Sequence, residues 1–433
     1  LTNRLLLGAA LALLSAPVIA APVAATAGAP APLHIDKARI DRALRQMVES
    51  GRVAGASALV WQHGREAYFG SAGFADREAK KPMRRDTLVQ IFSMTKPVTG
   101  VALMQLWEEG RFHLDDPLAN YLPEYANVRV FKGLDAAGQP ILTPPRRPIL
   151  IRDILRHTAG FGYHSGPTYP EQVLGKDDPL DLHNDLAGFS ARLARVPLLF
   201  EPGSEWRYSA AVDVQARLVE KLSGEPFETY VREHILDPLG MRDTAWTQPE
   251  ERYPRLAAAY TSTADGKLER KSDTDIRALN FSDRKLTMGG AGLASTLDDY
   301  LRFGRMLLGR GSLDGVRILQ PSTVKLMSTD QLDPAITERA WLPPKGNGGF
   351  GFDFFVRNGQ PRDSAENRGA VGEFFWDGAW STLFWVDPAN DLVAVFFTQK
   401  DPFDGTLHHD IRQAVYGARY LGPAGNEATP PKH

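Results

Sequence analysis

Strand-forming runs sit near both ends of this chain, and helix-forming patches fill the stretch between them. Ala54–Trp61 and Glu66–Gly70 read as two strands joined at His63-Gly64. Strand-like runs return only at Phe350–Val356, Ser381–Val386 and Leu392–Thr398, the last two joined by Asp387-Pro388-Ala389-Asn390-Asp391. Asp36 is placed to cap a helix whose apolar stripe is Ile40, Leu44, Met47 and Val48. Further helices are expected over Ile151–Arg156, Val212–Leu222, Phe227–Ile235, Thr296–Leu308 and about Leu407–Tyr420. This layout predicts an α+β fold: one antiparallel sheet completed by both ends of the chain, with a helical lobe inserted into it. The expected bounds are 36–425 for the domain, with a sheet-bearing lobe of about 36–92 and 290–425 and a helical lobe of about 93–289. A binding pocket belongs at the seam between the lobes.

The 433 residues include no cysteine, which excludes disulfides, thiolate chemistry and cysteine metal sites. A formal net charge of −2 offers no basic surface for nucleic acid or an anionic membrane. Arg4 precedes the apolar run Leu5 to Ala20, which ends in Val18-Ile19-Ala20. That is the layout of a secretory signal peptide over 1–20, followed by an Ala/Pro-rich linker over 21–35. An exported protein, periplasmic or secreted, is therefore expected, with no stable membrane span after processing. Residues 426–433 read as a flexible tail.

Ser93-Met94-Thr95-Lys96 enters the apolar run Val98 to Trp107. On a helix, positions i and i+3 share a face, so the Lys96 amine can reach Ser93 Oγ. A serine hydroxyl needs such a base to become a nucleophile. The same spacing recurs at Ser282–Lys285 and Ser322–Lys325. The first lies in a charged stretch that reads as a solvated loop, and the second opens a short helix as an N-cap would.

Two distant segments can complete a site around Ser93. Tyr208-Ser209-Ala210 follows Pro202-Gly203 and precedes a helix, so the Tyr208 phenol can be aimed into a cleft. A neighbouring lysine ammonium would lower its pKa and let it carry a proton. Phe374-Phe375-Trp376-Asp377-Gly378-Ala379-Trp380 precedes the strand Ser381–Val386. Gly378 allows close approach to the backbone, and the N–H groups of Ser93 and Ala379 would form a two-donor oxyanion hole. Phe375, Trp376, Asp377, Gly378 and Trp380 are the candidate substrate-binding residues. No Gly-x-Ser-x-Gly elbow, His-Glu-x-x-His helix or phosphate-binding glycine loop is present. His408-His409-Asp410 is read as part of a surface helix rather than a metal site. No cofactor or metal is required.

The order Ser-x-x-Lys, Tyr-Ser-x, Trp-x-Gly resembles the serine β-lactamase and penicillin-binding-protein superfamily. More specifically, it is similar to the class C β-lactamase-like esterases, the family VIII carboxylesterases. The resemblance is carried by Ile91–Thr99, Leu114-Asp115-Asp116-Pro117, Ile154–Gly160, Pro202-Gly203, Gly289–Ser295 and Phe384–Pro388. It covers about Ala54 to Gln399 and selects Ser93 over Ser282 and Ser322. It implies a β-lactamase/transpeptidase-like fold, Ser93 as acylated nucleophile, and proton work shared by Lys96 and Tyr208. It places Trp376-Asp377-Gly378 where β-lactamases carry Lys-Thr-Gly, with Ala379 giving the second oxyanion N–H. His157 falls in a matched segment and is read as structural, holding the loop after its helix.

Three departures from that pattern bear on substrate. Trp376 stands at the triplet's lysine, and Ala210 at the asparagine of Tyr-Ser-Asn. Both remove groups that would bind a penicillin-like anion. Asp377 stands where these esterases carry Trp-Gly-Gly, and its carboxylate is expected to repel anions or narrow the mouth. The resulting expectation is a serine hydrolase of carboxylic esters, with short acyl chains and weak β-lactamase activity at most. The alternatives are a β-lactamase, D-amino-acid peptidase or other amide hydrolase, an acyltransferase, and a non-catalytic sensor that keeps the fold. Which of Lys96 and Tyr208 is unprotonated stays open.

Overall fold

The computed structural model describes residues 33–418 and 420. The signal peptide, most of the linker and the tail expected from the sequence lie outside these residues. Asp36 caps α1 (Lys37–Glu49) by accepting the Arg39 N–H at 3.0 Å. Ile40, Leu44 and Met47 are buried along one face, as their spacing requires. β1 (Gly55–Gln62) and β2 (Arg65–Asp76) form the expected hairpin, turning through His63 and Gly64, both at positive φ. β2 runs six residues past the expected end and pairs with β3 (Lys81–Pro82). α2 (Thr95–Glu108) is apolar on nearly every side and threads the middle of the molecule. It packs against α4 (Ala211–Ser223), which in turn contacts α3 (Ile151–Leu155).

The rest of the sheet comes from the far end of the chain, after α5 (Leu297–Leu308). Its strands are β4 (Gly348–Phe350), β5 (Phe355–Arg357), β6 (Phe374–Asp377), β7 (Leu383–Asp387) and β8 (Leu392–Phe397). The last helix among the described residues is α6 (Gly405–Tyr416). The order β4-β5-β6-β7-β8-β1-β2-β3 is antiparallel throughout, and β8 meets β1 in the register Ser57↔Phe397 to Gln62↔Leu392. Both ends of the chain therefore complete one sheet. α1 and α6 pack together on one side, and α5 lies against β1, β7 and β8. With both faces covered, β1, β7 and β8 are buried almost residue by residue.

Several sequence expectations are corrected. Phe350–Val356 is not one strand, because the chain bends over 351–354 between β4 and β5. Gly351 sits so close to Met327 that a Cβ would lie 2.0 Å from its carbonyl oxygen, and Asp353 adopts φ +61°. Phe227–Ile235 changes from α-helix to a π turn after Val231. The last helix stops at Tyr416, ended by Gly417. The middle of the chain also holds two small hairpins hidden among charged residues, Val130–Leu134 with Pro140–Thr143 and Tyr260–Ser262 with Leu268–Arg270. His408 is not on a surface face: it is 4% exposed, and its Nε2 lies 3.0 Å from the Ser381 carbonyl oxygen.

Under α6 the core is ionic. Glu373 Oε1 accepts from Arg357 at 3.0 Å and Arg412 at 2.8 Å, all three side chains being fully buried. Arg412 also stacks over Phe375 and Trp385. Removing one partner of a buried ion pair strands the other charge. Glu373→Gln is expected to lower stability by roughly 3–5 kcal/mol, measured as a fall in the urea midpoint. An unchanged midpoint would show that the two guanidinium groups are held some other way.

Candidate active site

Ser93 lies in the short turn Phe92–Met94 that leads into α2. Phe92 is held at φ +44°, a strained conformation for a bulky residue, with its ring 4.4 Å from that of Trp380. One turn later, Lys96 Nζ is 3.3 Å from Ser93 Oγ. The amine is buried, donates to the Gly290 carbonyl at 2.7 Å, and lies 3.3 Å from the Tyr163 hydroxyl. Burial lowers its pKa to about 8, against the opposing pull of Asp213, Asp353 and Asp377. The backbone must come very near for this contact. A Cβ on Gly290 would stand 2.8 Å from Asp213 Oδ2 and 3.1 Å from Nζ. The same run is laced to α2, with Thr99 Oγ1 donating to Gly289 O at 2.7 Å and Leu293 N–H to Thr95 Oγ1 at 3.2 Å.

Tyr208 joins this pair. Its ring centroid is 4.5 Å from Lys96 Nζ, and Ser93 is near enough to act on the pKa of its hydroxyl. The Trp376 indole N–H donates to the phenol oxygen at 3.2 Å. The expected fall in the phenol's pKa is not found. Burial and Tyr163 push it well above its ordinary value, more than Ser93 and Trp376 lower it. Desolvation thus keeps the phenol protonated and drives the lysine toward its neutral amine. His157 sits behind the loop, its Nδ1 accepting the Ser209 N–H at 3.3 Å and its ring 4.9 Å from Tyr208. It is fully buried and held neutral by burial, so it orients the Tyr208-Ser209 loop.

β6 delivers the third wall. A Cβ on Gly378 would lie 2.4 Å from Ile91 O and 2.2 Å from Thr382 Oγ1, so only glycine lets the strand end press against the segment that carries Ser93. Gly378 N–H bonds Thr382 O and Ser381 N–H bonds Gly378 O, leaving the N–H of exposed Ala379 outside both turns. Trp380 borders the site through Phe92.

Two expectations for this wall are overturned. Phe375 does not face the cleft: strand alternation turns it to the α6 side, between Phe355 and Arg412. Asp377 is not a free carboxylate, because it is ion-paired with Lys345. Ser282 and Ser322 are both exposed, and Ser282 bonds only the Ala278 carbonyl.

Sequence reasoning missed Tyr163, Asp213, Trp341 and Lys345. Tyr163 ends the glycine-punctuated stretch Gly160-Phe161-Gly162 directly after a matched segment, which is the signal that could have found it. Trp341 is 60% exposed, with its ring 5.9 Å from Tyr208, and it comes from a loop with no pattern to mark it. Among the described residues no group of His, Asp and Glu is arranged to hold a metal ion, and no helix is long and apolar enough to cross a membrane.

Comparison with known proteins gives one consistent family. The family model described as Beta-lactamase matches residues 40–418. Esterase EstB of Burkholderia gladioli is 30% identical over 400 residues, covering 88% of this chain and 95% of that protein. The solved structure of EstCE1, a hydrolase with promiscuous acyltransferase activity, superposes with a TM-score of 0.73 at 30% identity, covering 88% of this chain and 98% of EstCE1. Simvastatin synthase (LovD) from Aspergillus terreus superposes with a TM-score of 0.73 at 25% identity, covering 88% and 96%.

The buried lysine gives the site a pH signature. Protonated Lys96 cannot accept the Ser93 proton, so labelling of Ser93 by a fluorophosphonate is expected to rise with pH and level off above about 8. A labelling rate that stays flat between pH 6 and 9 would contradict this assignment of charge.

Proposed function

The chain belongs to the Beta-lactamase family and shares its serine-hydrolase architecture with an esterase and a hydrolase; from that premise we propose that it cleaves short-chain carboxylic esters through an acyl-enzyme on Ser93. The observation that carries the reading is the meeting of one hydroxyl, one amine and one phenol, with Nζ 3.3 Å from Oγ. In this mechanism neutral Lys96 takes the Ser93 proton as Oγ attacks the ester carbonyl. The carbonyl oxygen gathers negative charge between the N–H groups of Ser93 and Ala379. Tyr208, kept protonated by burial, gives its proton to the departing alcohol and is reprotonated from Lys96. Water then attacks the acyl-enzyme with the same groups in reverse order, freeing the acid and restoring Ser93.

Ester rather than lactam follows from the walls. Trp376 presents an indole where a lysine ammonium would hold a substrate carboxylate. Ala210, buried at the start of α4, gives no amide to an acylamino side chain. A group lost from such charge-assisted contacts is worth about 1.5–3 kcal/mol. Acyl transfer to an alcohol in place of water is the second reading. It is favoured by the likeness to EstCE1, described as having promiscuous acyltransferase activity, and to simvastatin synthase. Export is part of the same proposal and rests on the Leu5–Ala20 run.

Ser93→Ala is expected to abolish turnover of p-nitrophenyl butyrate, and Tyr208→Phe to lower kcat by about 10²–10⁴-fold. Efficiency on nitrocefin should stay far below that on the ester. Full ester turnover in Ser93→Ala, or nitrocefin as the better substrate, would overturn the proposal. For export, the N-terminus of protein recovered outside the cytoplasm is expected at Ala21, read by mass spectrometry.

A further inference from the structure

The triplet Trp376-Asp377-Gly378 places an acidic residue in the wall of the site, and the fold brings a lysine to it from a separate loop. Lys345 ends the short turn Pro343–Lys345 and precedes β4. Its ammonium pairs with Asp377 Oδ2, and both side chains are largely buried, at 16% and 12% exposed. Lys345 Nζ also stands 4.6 Å from the centre of the Trp376 ring. That indole donates to the Tyr208 oxygen, so a single side chain separates the ammonium from the phenol. The Asp377 charge is felt at the reacting groups too, raising the pKa of both Lys96 and Tyr208.

The other titratable neighbour is His408 of α6, whose Nδ1 is 3.9 Å from Asp377 Oδ2. Burial lowers its pKa to about 4, so it is neutral at pH 7. The balance beside Trp376 is therefore one anion against one cation. A cation at this place, unpaired, would attract a substrate carboxylate. Paired with Asp377, it attracts none. The sequence suggests that Asp377 repels anions by its own charge; in the fold that charge is paired with Lys345.

We propose that Asp377 and Lys345 are the specificity-determining pair of this cleft: Asp377 neutralises the Lys345 ammonium, so the site selects uncharged esters over substrates that carry a carboxylate. The inference rests on the ester reading above and names the substrate class for it. Asparagine at 377 keeps an oxygen for Lys345 to bond while removing the charge that cancels it.

The test compares kcat/KM for p-nitrophenyl butyrate with that for mono-p-nitrophenyl succinate, which has the same acyl length but ends in a carboxylate. Loss of Ser93-dependent butyrate turnover in the wild-type protein would fail the ester reading itself; the ratio of the two substrates tests the pair. In Asp377→Asn the succinate-to-butyrate ratio is expected to rise about tenfold, and this gain should shrink as salt is raised from 0.05 to about 0.5 M. Lys345→Met is expected to lower the ratio, because it leaves Asp377 uncompensated. The double variant should return to within about threefold of the wild-type ratio. A purely structural role would slow both substrates alike in all three variants and leave the ratio fixed. That outcome, or a gain that survives in the double variant, would overturn the proposal.

Discussion

A lysine amine taken out of water loses most of the hydration that favours its charged form. Lys96 is in that position, and the surrounding chain is built around the consequence. Its ammonium form is supported by one short bond to the Gly290 carbonyl and by the fields of Asp213, Asp353 and Asp377. Its neutral form is favoured by burial. Burial outweighs the bond and the fields and brings the pKa down to about 8, which keeps a usable fraction of free amine next to Ser93. Asp213 does not pair directly with the amine; it accepts the Gly290 N–H at 3.0 Å and so fixes the carbonyl that does. Glycine at 290 is a requirement of that geometry rather than of flexibility, since a side chain would collide with Asp213 and crowd the amine.

The site is a junction of segments far apart in sequence, and its accuracy comes from how they are joined. α2 carries Ser93 and Lys96 through the centre of the core, where packing leaves little freedom. The 289–293 run is tied to that helix by Thr95 and Thr99. β6 is tied to the turn before α2 by the contact of Gly378 with Ile91. The Tyr208 loop is held from behind by His157 and in front by the Trp376 indole. Sheet, central helix and helical lobe thus each contribute one reacting or supporting group. A shift of any one would change the distance between hydroxyl, amine and phenol.

Much of this was legible in the sequence because it depends on local patterning. The α1 stripe, the His63-Gly64 hairpin and the split of strands between the two ends follow from period and turn chemistry, and the fold keeps them. The meeting of Ser93, Lys96 and Tyr208 was reachable through the ordered segments that accompany them. What was not legible depends on burial. The Tyr208 phenol was expected to follow the charge of its neighbour, but desolvation outweighs that charge. Phe375 was grouped with its neighbours in the chain, whereas strand alternation sends it to the other face. Phe350–Val356 looked continuous because its aromatic residues hide a bend that only the contact of Gly351 with Met327 imposes. Trp341 and Lys345 come from loops whose composition does not mark them, and only tertiary contacts bring them to the site.

The two unusual residues of the Trp376-Asp377-Gly378 wall are intelligible only together with Lys345. Asp377 alone would be a largely buried carboxylate, a charge with no compensation. Lys345 alone would be an unpaired ammonium over an aromatic ring at the edge of the cleft, attracting anions. As a pair they leave that edge electrically quiet, while the Trp376 indole supplies the hydrogen bond to Tyr208. The wall therefore keeps one polar contact for the reacting phenol and otherwise presents apolar aromatic surface. Such a surface suits the uncharged chain of an ester and gives a carboxylate nothing to bind. Substrate class in this cleft is thus set less by which charges are present than by which of them are already satisfied.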